Sequence, residues 1–375
     1  MSRARTFADL ATASEAGSVA NRNMIINGDM AIAQRGVSKT GFDKDTAGLF
    51  HVVDRWGLDI GTTAGAFTVT QDTDSTAPFP EALKFATTTA DTSIAAGEYV
   101  LLHQSIEGIN CARMRKGNSD ASAITISFYV KGNAAATYGF GLRDTDNDRI
   151  YNDVFSVTTS WSRVVLTLPG DTNGEYLNHD NGASLQMYIW LHAGSTYTGG
   201  TFSSKTWADR SNWNTTVNSS NTSILDSTSR TFFITGVQME LGEVATPFEN
   251  ESFQDNLTRC QRYYQKSYNY ATAPGTATTV GEIGNDGNPS SGSNTGQLID
   301  FHSFYCEMRD TPDMTFYDIA GTVDKVSTVK HGTNEYNGET GDVFRGGAKN
   351  YSVQRPATGN SVNSVRWHFE ADSEI

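Results

Sequence analysis

The segment from Tyr188 to Asn221 places aromatic rings, amides and charged side chains at short intervals. Flat aromatic faces bind the apolar face of a sugar ring, while amides and carboxylates exchange hydrogen bonds with its hydroxyl groups. The segment is also too polar to be entirely core. Its composition therefore predicts a carbohydrate-binding site with seven candidate residues, Trp190, Tyr197, Trp207, Asp209, Asn212, Trp213 and Asn214.

The tryptophans of this segment permit more than one interpretation. Trp190 lies in the middle of a predicted strand, which favours a core position. Trp207 and Trp213 stand in loop-like sequence, where each could be either a sugar platform or an anchor that packs a loop. Two further tryptophans, Trp56 and Trp161, lie near the ends of predicted strands and are interpreted as packing residues.

A second kind of chemistry is suggested by acids at alternating positions, Asp144, Asp146 and Asp148. A hard cation such as calcium needs about six to eight oxygen ligands. The run lacks the glycine and the distal glutamate of a calcium-binding helix–loop–helix, so a hairpin turn is the simpler interpretation. Asp29 is another acid that could contribute an oxygen, or could serve a turn together with Asn27. We predict no cofactor and no metal ion, with a structural calcium at these acids as the alternative.

The common sequence signatures of catalytic sites are absent from this chain. The sequence contains no Gly-x-Ser-x-Gly, no His-Glu-x-x-His, no phosphate-binding loop and no dinucleotide fingerprint. A glycan depolymerase requires two carboxylates at a set distance across the bond it cleaves. The chain has 42 acids, but the distance between any two of them in space cannot be read from the sequence. We therefore predict a protein that is not an enzyme.

The composition of the chain argues against several classes of binding partner. The formal net charge is -14 and the 28 basic residues are scattered, so most of the surface repels a nucleic-acid backbone. No segment approaches the roughly 20 apolar residues of a membrane span, and the first residues lack the apolar stretch of a secretory signal. Three widely spaced cysteines, Cys111, Cys260 and Cys306, indicate free thiols. We expect no nucleic-acid partner, no membrane insertion, and assembly in a reducing cytoplasm.

The elements that must position these residues are mainly strands. Runs of five to eight residues, such as 123–130, 163–168, 184–191 and 230–237, alternate apolar and polar residues or are fully apolar. This pattern predicts an all-β fold with a jelly roll or β-sandwich. The predicted division is a connector at 1–22, a jelly-roll domain at 23–249, a linker helix at 250–267 capped by Ser252, and a smaller C-terminal β domain at 268–375.

Several strings of this sequence, taken in order, resemble the jelly-roll modules of bacteriophage tail-fibre proteins. They are Asn23-Met24-Ile25-Ile26-Asn27-Gly28-Asp29-Met30, Asp54-Arg55-Trp56, Ile126-Ser127-Phe128-Tyr129-Val130-Lys131-Gly132, Val157-Thr158-Thr159-Ser160-Trp161-Ser162-Arg163-Val164 and Phe233-Ile234-Thr235-Gly236-Val237-Gln238-Met239-Glu240. The same outline is similar to the carbohydrate-binding modules of bacterial glycosidases. The later strings 245–249, 260–264 and 367–375 resemble the linker, helix and terminus of such fibres.

The resemblance implies a virion fibre or appendage that attaches a phage to glycans of the host surface. It also implies a homotrimer, an N-terminus joined to other tail or adaptor proteins, and a C-terminal domain that forms the fibre tip. The glycosidase modules hold a structural calcium with acids that this chain lacks, since Ala31 follows Met30 and Thr235-Gly236 replace the terminal pair. The alternative is a capsid decoration or tail appendage that makes only protein–protein contacts.

Overall fold

The computed structural model describes residues 21–44, 52–74, 76–286, 298–330, 334–340, 342–355 and 362–375. The chain divides into two compact units. Of the described residues, the first unit contains those within 21–33 and 37–253 together with Ile375, and the second contains those within 34–36 and 254–374. The predicted connector at 1–22 lies outside the described residues except for its last two positions. In the described part of the chain, no helix has the length and apolarity needed to cross a membrane.

The first unit contains two six-stranded antiparallel sheets, with strands numbered in chain order. Sheet A runs in the spatial order β1 (Ser38–Phe42), β3 (Ala66–Asp72), β4 (Ala82–Thr89), β12 (Thr231–Leu241), β6 (Ile124–Gly132) and β9 (Ser162–Leu168). Sheet B runs in the order β11 (Trp207–Asp209), β8 (Arg149–Val157), β7 (Ala136–Asp144), β10 (Ala183–Ala193), β5 (Tyr99–Glu107) and β2 (Gly57–Gly61). Two short 3-10 turns, Gly108–Asn110 and Ala112–Met114, follow β5, and a single-turn helix, α1 (Ser195–Thr198), follows β10.

The two sheets enclose one large core because their strands alternate inward and outward residues. On β6 the inward residues Ile124, Ile126, Phe128 and Val130 are almost fully buried. The inward residues of β7 and β10 enter the same apolar cluster. Successive strands cross repeatedly between the sheets, so the chain closes a β-sandwich of the jelly-roll type. The predicted fold class is confirmed, and all four predicted strand runs correspond to β6, β9, β10 and β12.

A bulge in β12 explains the Thr235-Gly236 pair. Gly236 has φ +61, and a Cβ there would lie 2.3 Å from the ring of Phe79, so only glycine fits. Thr235 donates its hydroxyl to the main-chain oxygen of Glu81 at 2.7 Å. Thr235 and Gly236 stand where glycosidase modules carry acids. Here Gly236 allows the backbone to bend at the bulge, and Thr235 forms a hydrogen bond to the main chain.

The second unit begins with a helix, α2 (Phe253–Gln261), and otherwise contains strands. One sheet has the order β13 (Tyr264–Lys266), β21 (Val362–Asp372), β17 (Lys325–Lys330) and β18 (Asn334–Thr340), and β14 (Ile283–Asp286) and β16 (Asp313–Tyr317) also pair with β21. The other has the order β15 (Leu298–Ser303), β20 (Asn350–Arg355) and β19 (Asp342–Gly346). Trp367 and Phe369 of β21 anchor its core.

The predicted helix at 250–267 is too long. The helix ends at Gln261, and residues 264–266 pair with the last strand instead. The side-chain amide of Gln265 donates to the main-chain oxygen of Gln261 at 3.0 Å and so satisfies a carbonyl at the helix end. Tyr264 donates its hydroxyl to Glu370 at 2.7 Å. Strand pairing and these contacts override the helical pattern of the sequence.

Candidate functional site

Sheet B has a second apolar cluster on the face that points away from the main core. The inward residues of β10 are Leu185, Met187, Ile189 and Leu191, and the residues between them emerge on the outward face. There Tyr188 and Trp190 pack with Leu101 of β5 and with Val217 of a long loop that follows β10. This loop, residues 194–222, contains the single-turn helix α1 (Ser195–Thr198) and the strand β11. The alternation of β10 therefore supplies two cores, one on each side of the sheet.

Trp190 is the centre of the outward cluster. It is only 2% exposed, in agreement with the core interpretation. Its ring lies 5.2 Å from the ring of Tyr197, 6.1 Å from that of Trp213 and 6.4 Å from that of Tyr99, measured between centroids. Gly139 on β7 lies beside it, and a Cβ there would be in ordinary van der Waals contact with the Cβ of Trp190, at 3.4 Å. Such tilted and edge-to-face pairs make a stiff aromatic base beneath the loop.

The 194–222 loop is held in place by its own short hydrogen bonds. The main-chain N–H of Gly200 donates to the carbonyl of Asn214 at 2.8 Å, and that of Val217 donates to Tyr197 at 3.1 Å. Asn212 accepts the N–H of Asn214 on its side-chain oxygen at 3.0 Å, which is an Asx turn. These bonds close the polar, turn-rich sequence over the aromatic base with little regular secondary structure, since only α1 and the three-residue strand β11 lie within it.

Trp213 is half-buried in this loop and lies beneath a charged side chain. The guanidinium carbon of Arg210 lies 4.3 Å from its ring centroid, a cation–π distance. Arg210 in turn donates from Nε and Nη2 to the two carboxylate oxygens of Asp148, each at 2.8 Å. A second guanidinium, that of Arg143, donates to Asp148 at 3.1 Å and lies 5.6 Å from the Trp213 ring. The ring and both cations are thereby fixed in position.

An open depression of about 750 Å³ lies beside this stack. It is lined by Ser195, Thr196, Gly199, Arg210, Ser211, Asn212, Trp213 and Asn214. The side chains of Asn212 and Asn214 are exposed, and the lining offers amide, hydroxyl and guanidinium groups around one indole. The depression can therefore bind a polar ligand that also has an apolar face.

The structure brings together five of the seven candidate residues. Asn212, Trp213 and Asn214 line the depression, and Tyr197 and Trp190 form the base under the loop. Trp207 and Asp209 lie elsewhere, on the edge strand β11. Trp207 donates its indole N–H to the carbonyl of Pro169 at 2.9 Å and packs on Tyr151, which makes it an anchor. The exposed carboxylate of Asp209 is paired with Arg149.

The acids considered as calcium ligands are engaged by cations or by N–H donors. Asp144 is buried against the ammonium group of Lys116, and Asp148 is bonded by two guanidiniums. Asp146 accepts the main-chain and side-chain N–H groups of Asn178, and Asp29 accepts from Ala31 at 3.4 Å, as expected for turn residues. Within the described ranges, no group of three or more His, Cys, Asp or Glu side chains is arranged to hold a metal ion.

Several residues of the site escaped sequence reasoning. Tyr99 lies on β5, far from the aromatic segment in the chain, yet its ring is 5.3 Å from that of Tyr197. Arg143 lies on β7 and contacts Tyr188, and this contact partly offsets the burial that raises the pKa of Tyr188 above its ordinary value. No local signal marks these residues, because only strand pairing brings β5, β7 and β10 side by side.

Buried polar atoms remain near this base. Asn152 on β8 is fully buried opposite Gly141, and neither polar atom of its side chain has a hydrogen-bond partner in the described part of the protein. The same holds for the indole N–H of Trp190. A buried donor or acceptor without a partner typically costs about 1–3 kcal/mol. The outward face of sheet B therefore has hydrogen-bonding capacity that its own side chains do not use.

This chain resembles known proteins in fold but not in sequence. No family model matches this chain, and no curated protein matches it in sequence. Solved structures that resemble it include a family 11 carbohydrate-binding module from Clostridium thermocellum in complex with a β-1,3-1,4-mixed-linked tetrasaccharide, with 12% identity, 56% of this chain and 99% of that chain covered, and a TM-score of 0.27.

Two further structures show a similar degree of likeness. TmCBM61 in complex with β-1,4-galactotriose is 10% identical to this chain, with a TM-score of 0.30. The match covers 60% of this chain and 100% of the TmCBM61 chain. The CBM22-1–CBM22-2 tandem domain of Xyn10C from Paenibacillus barcinonensis is 12% identical to this chain, with a TM-score of 0.28. The match covers 96% of this chain and 93% of the tandem-domain chain. At these low TM-scores the likeness carries neither a site nor a function over to this chain.

Proposed function

We propose that the first unit is a carbohydrate-binding head and that its ligand occupies the open depression beside Trp213. The observation that supports this most directly is the composition of the lining, in which exposed Asn212 and Asn214 flank one indole ring. A saccharide has the matching chemistry, with an apolar ring face and a rim of hydroxyl groups. The open form of the depression suits an extended chain of sugars.

The base under the loop supports the same proposal. Trp190 and Tyr197 pack beneath Trp213, and the stack of Arg210 on that ring holds it further. A site whose side chains are already ordered loses less conformational entropy on binding. The head therefore binds its ligand largely without rearrangement, and no catalytic group is assigned to it.

We further propose that the head serves attachment of a virion to glycans on the host surface. The support is the series of strings that resemble tail-fibre modules, which spans most of the chain. A homotrimer joined to other tail proteins through its N-terminus suits this role. Single saccharide sites are weak, and linked copies can raise avidity by roughly 10² to 10⁴.

A glycan array with the full chain tests the binding proposal. We expect the wild type to bind a defined set of glycans. We expect Trp213→Ala to bind them at least about fivefold more weakly, because an aromatic contact of this kind contributes about 1 kcal/mol beyond its buried area. The matched control is Trp161→Ala. Trp161 is also half-buried, but it donates its N–H to Asp74 and packs on Phe233 of sheet A.

The control decides how the result is interpreted. Equal binding by the wild type and both variants would remove the depression from the proposal. A wild type that is folded by circular dichroism and binds no glycan would contradict the carbohydrate-binding function. That result would favour the structural alternative, a decoration or appendage that contacts only proteins.

A further inference from the structure

The depression has a charge that differs from the rest of the molecule. The whole chain has a formal net charge of -14, yet the lining contains no carboxylate and one cation, Arg210. A carboxylate ligand approaching most of the surface is repelled, whereas one entering the depression meets a guanidinium. The lining is thus locally suited to an anion on an acidic protein.

Arg210 presents a defined, unused edge to the ligand. Its Nε and Nη2 are bonded to Asp148, and its plane is stacked on Trp213. Among the residues that the structure describes, Nη1 has no hydrogen-bond partner. A planar guanidinium held on one edge and one face is pre-organised to donate from the remaining edge to an oxyanion.

The charge on Asp148 does not cancel this cation completely. Arg143 donates to the same carboxylate, so two guanidiniums share one negative charge. The acid next to Arg210 in the chain, Asp209, is paired with Arg149 of β8, which also bonds Asp171. Within the group of Arg143, Arg210 and Asp148, two positive charges therefore face one negative charge, and Arg210 is the member that lines the depression.

We infer that the ligand is an acidic saccharide, whose carboxylate, sulfate or phosphate group accepts hydrogen bonds from the free edge of Arg210. In this arrangement Asn212 and Asn214 bind hydroxyl groups of the same or the neighbouring sugar. The inference depends on the proposed function and names its ligand class. It assigns to Arg210 a role in specificity, whereas Trp213 contributes to the binding of any sugar.

The test uses a glycan array printed with matched pairs. Each pair contains an acidic glycan and its neutral counterpart: glucuronate and glucose, galacturonate and galactose, sialylated and asialo chains, and sulfated or phosphorylated chains with their unmodified forms. We expect the full-length wild type to favour acidic members by about tenfold or more, as charge-assisted hydrogen bonds are roughly twice as strong as neutral ones. The pair that responds identifies the anionic group.

Two variants compare the loss of a positive charge inside the depression with the loss of one outside it. Arg210→Gln should reduce acidic binding to the level of the neutral partners, and raising the salt concentration should weaken the wild type but not this variant. Lys205→Gln is the matched control, because Lys205 lies in the same loop, outside the lining, with a side chain 69% exposed. It removes the same charge and should leave the preference unchanged. Thermal unfolding of each variant verifies that it is folded.

The outcomes distinguish this inference from the proposed function. Equal binding of acidic and neutral partners by the wild type would overturn the acidic ligand and leave carbohydrate binding intact. A preference that survives in folded Arg210→Gln, or that is lost equally in Lys205→Gln, would overturn the role of Arg210. Binding to no glycan would overturn both.

Discussion

At the scale of single residues, the most consequential feature outside the depression is Lys116, a lysine whose side chain is 2% exposed. Its ammonium group contacts Asp144, lies 3.2 Å from Asp171 and is 3.3 Å from the carbonyl oxygen of Asn173. Arg149 donates to both oxygens of Asp171 at 2.7 and 2.9 Å. Burial opposes ionisation of Asp171, but Arg149 and Lys116 hold its pKa below the ordinary value.

Replacing Lys116 with methionine keeps an unbranched side chain that is one atom shorter and removes the charge. Asp144 and Asp171 then lose a buried cation, and removal of one partner from a buried ion pair typically costs about 3–5 kcal/mol. We expect the free energy of unfolding of the first unit, measured by urea titration with tryptophan fluorescence, to fall by about this amount.

The control for this prediction is Lys205→Met, which removes an exposed lysine from the same unit. Exposed substitutions usually change stability by about 0.5 kcal/mol or less. If both variants lose equally little stability, the buried cluster contributes nothing measurable as an ion pair. Rescue of Lys116→Met by added calcium would instead indicate that a divalent cation can replace the ammonium group.

At the scale of elements, His192 connects β10 to two loops. Its Nδ1 lies 2.7 Å from the hydroxyl of Ser223, and its Nε2 lies 3.4 Å from a carboxylate oxygen of Glu98. Burial lowers the pKa of His192 below the ordinary value of 6.5, although Glu98 and Asp91 oppose this effect. The imidazole therefore joins the strand of the aromatic base to its flanking loops in the neutral form.

This depressed pKa predicts an acid-sensitive first unit. Below pH 6.5 the unfolded chain binds protons that the buried imidazole resists, so the free energy of unfolding decreases as the pH falls. We expect urea unfolding at about pH 5 to give a lower stability than at about pH 7.5, and we expect His192→Gln to reduce this difference.

His103 behaves in the same way, since burial lowers its pKa, so part of the acid sensitivity should remain in His192→Gln. The carboxylates with depressed pKa values, such as Asp171, titrate at lower pH and do not account for a loss near pH 6. A pH dependence that is identical in the wild type and the variant would show that protonation of His192 is not linked to unfolding.

At the scale of the whole molecule, the division of labour between the N-terminus and the folded units can be tested. The segment 1–22 is predicted to join the chain to other virion proteins, and all but its last two residues lie outside the described part of the protein. We expect deletion of residues 1–20 to abolish incorporation into particles, measured by immunoblot of purified virions, and to leave glycan binding and the unfolding transition unchanged. Loss of folding in the deletion variant would contradict this division.

Much of the architecture is readable from local pattern. Period-two alternation predicts β6, β9, β10 and β12, because one face of each strand must enter a core. The end of α2 is not readable in this way. Its pattern continues to Ser267, and only the partner strand β21, at the far end of the chain, makes an extended conformation the better one for residues 264–266.

The candidate site likewise has features that the sequence predicts and features that depend on the tertiary structure. The sequence by itself determined the fold class, and it located Asn212, Trp213 and Asn214 from side-chain chemistry, which is a local property. Only the tertiary structure decided that Trp207 is an anchor, that Trp190 is the base, and that Arg210 is fixed by Asp148. Those roles depend on which strands are neighbours and on how a long loop closes, and neighbours across a sheet are set by pairing rather than by sequence distance.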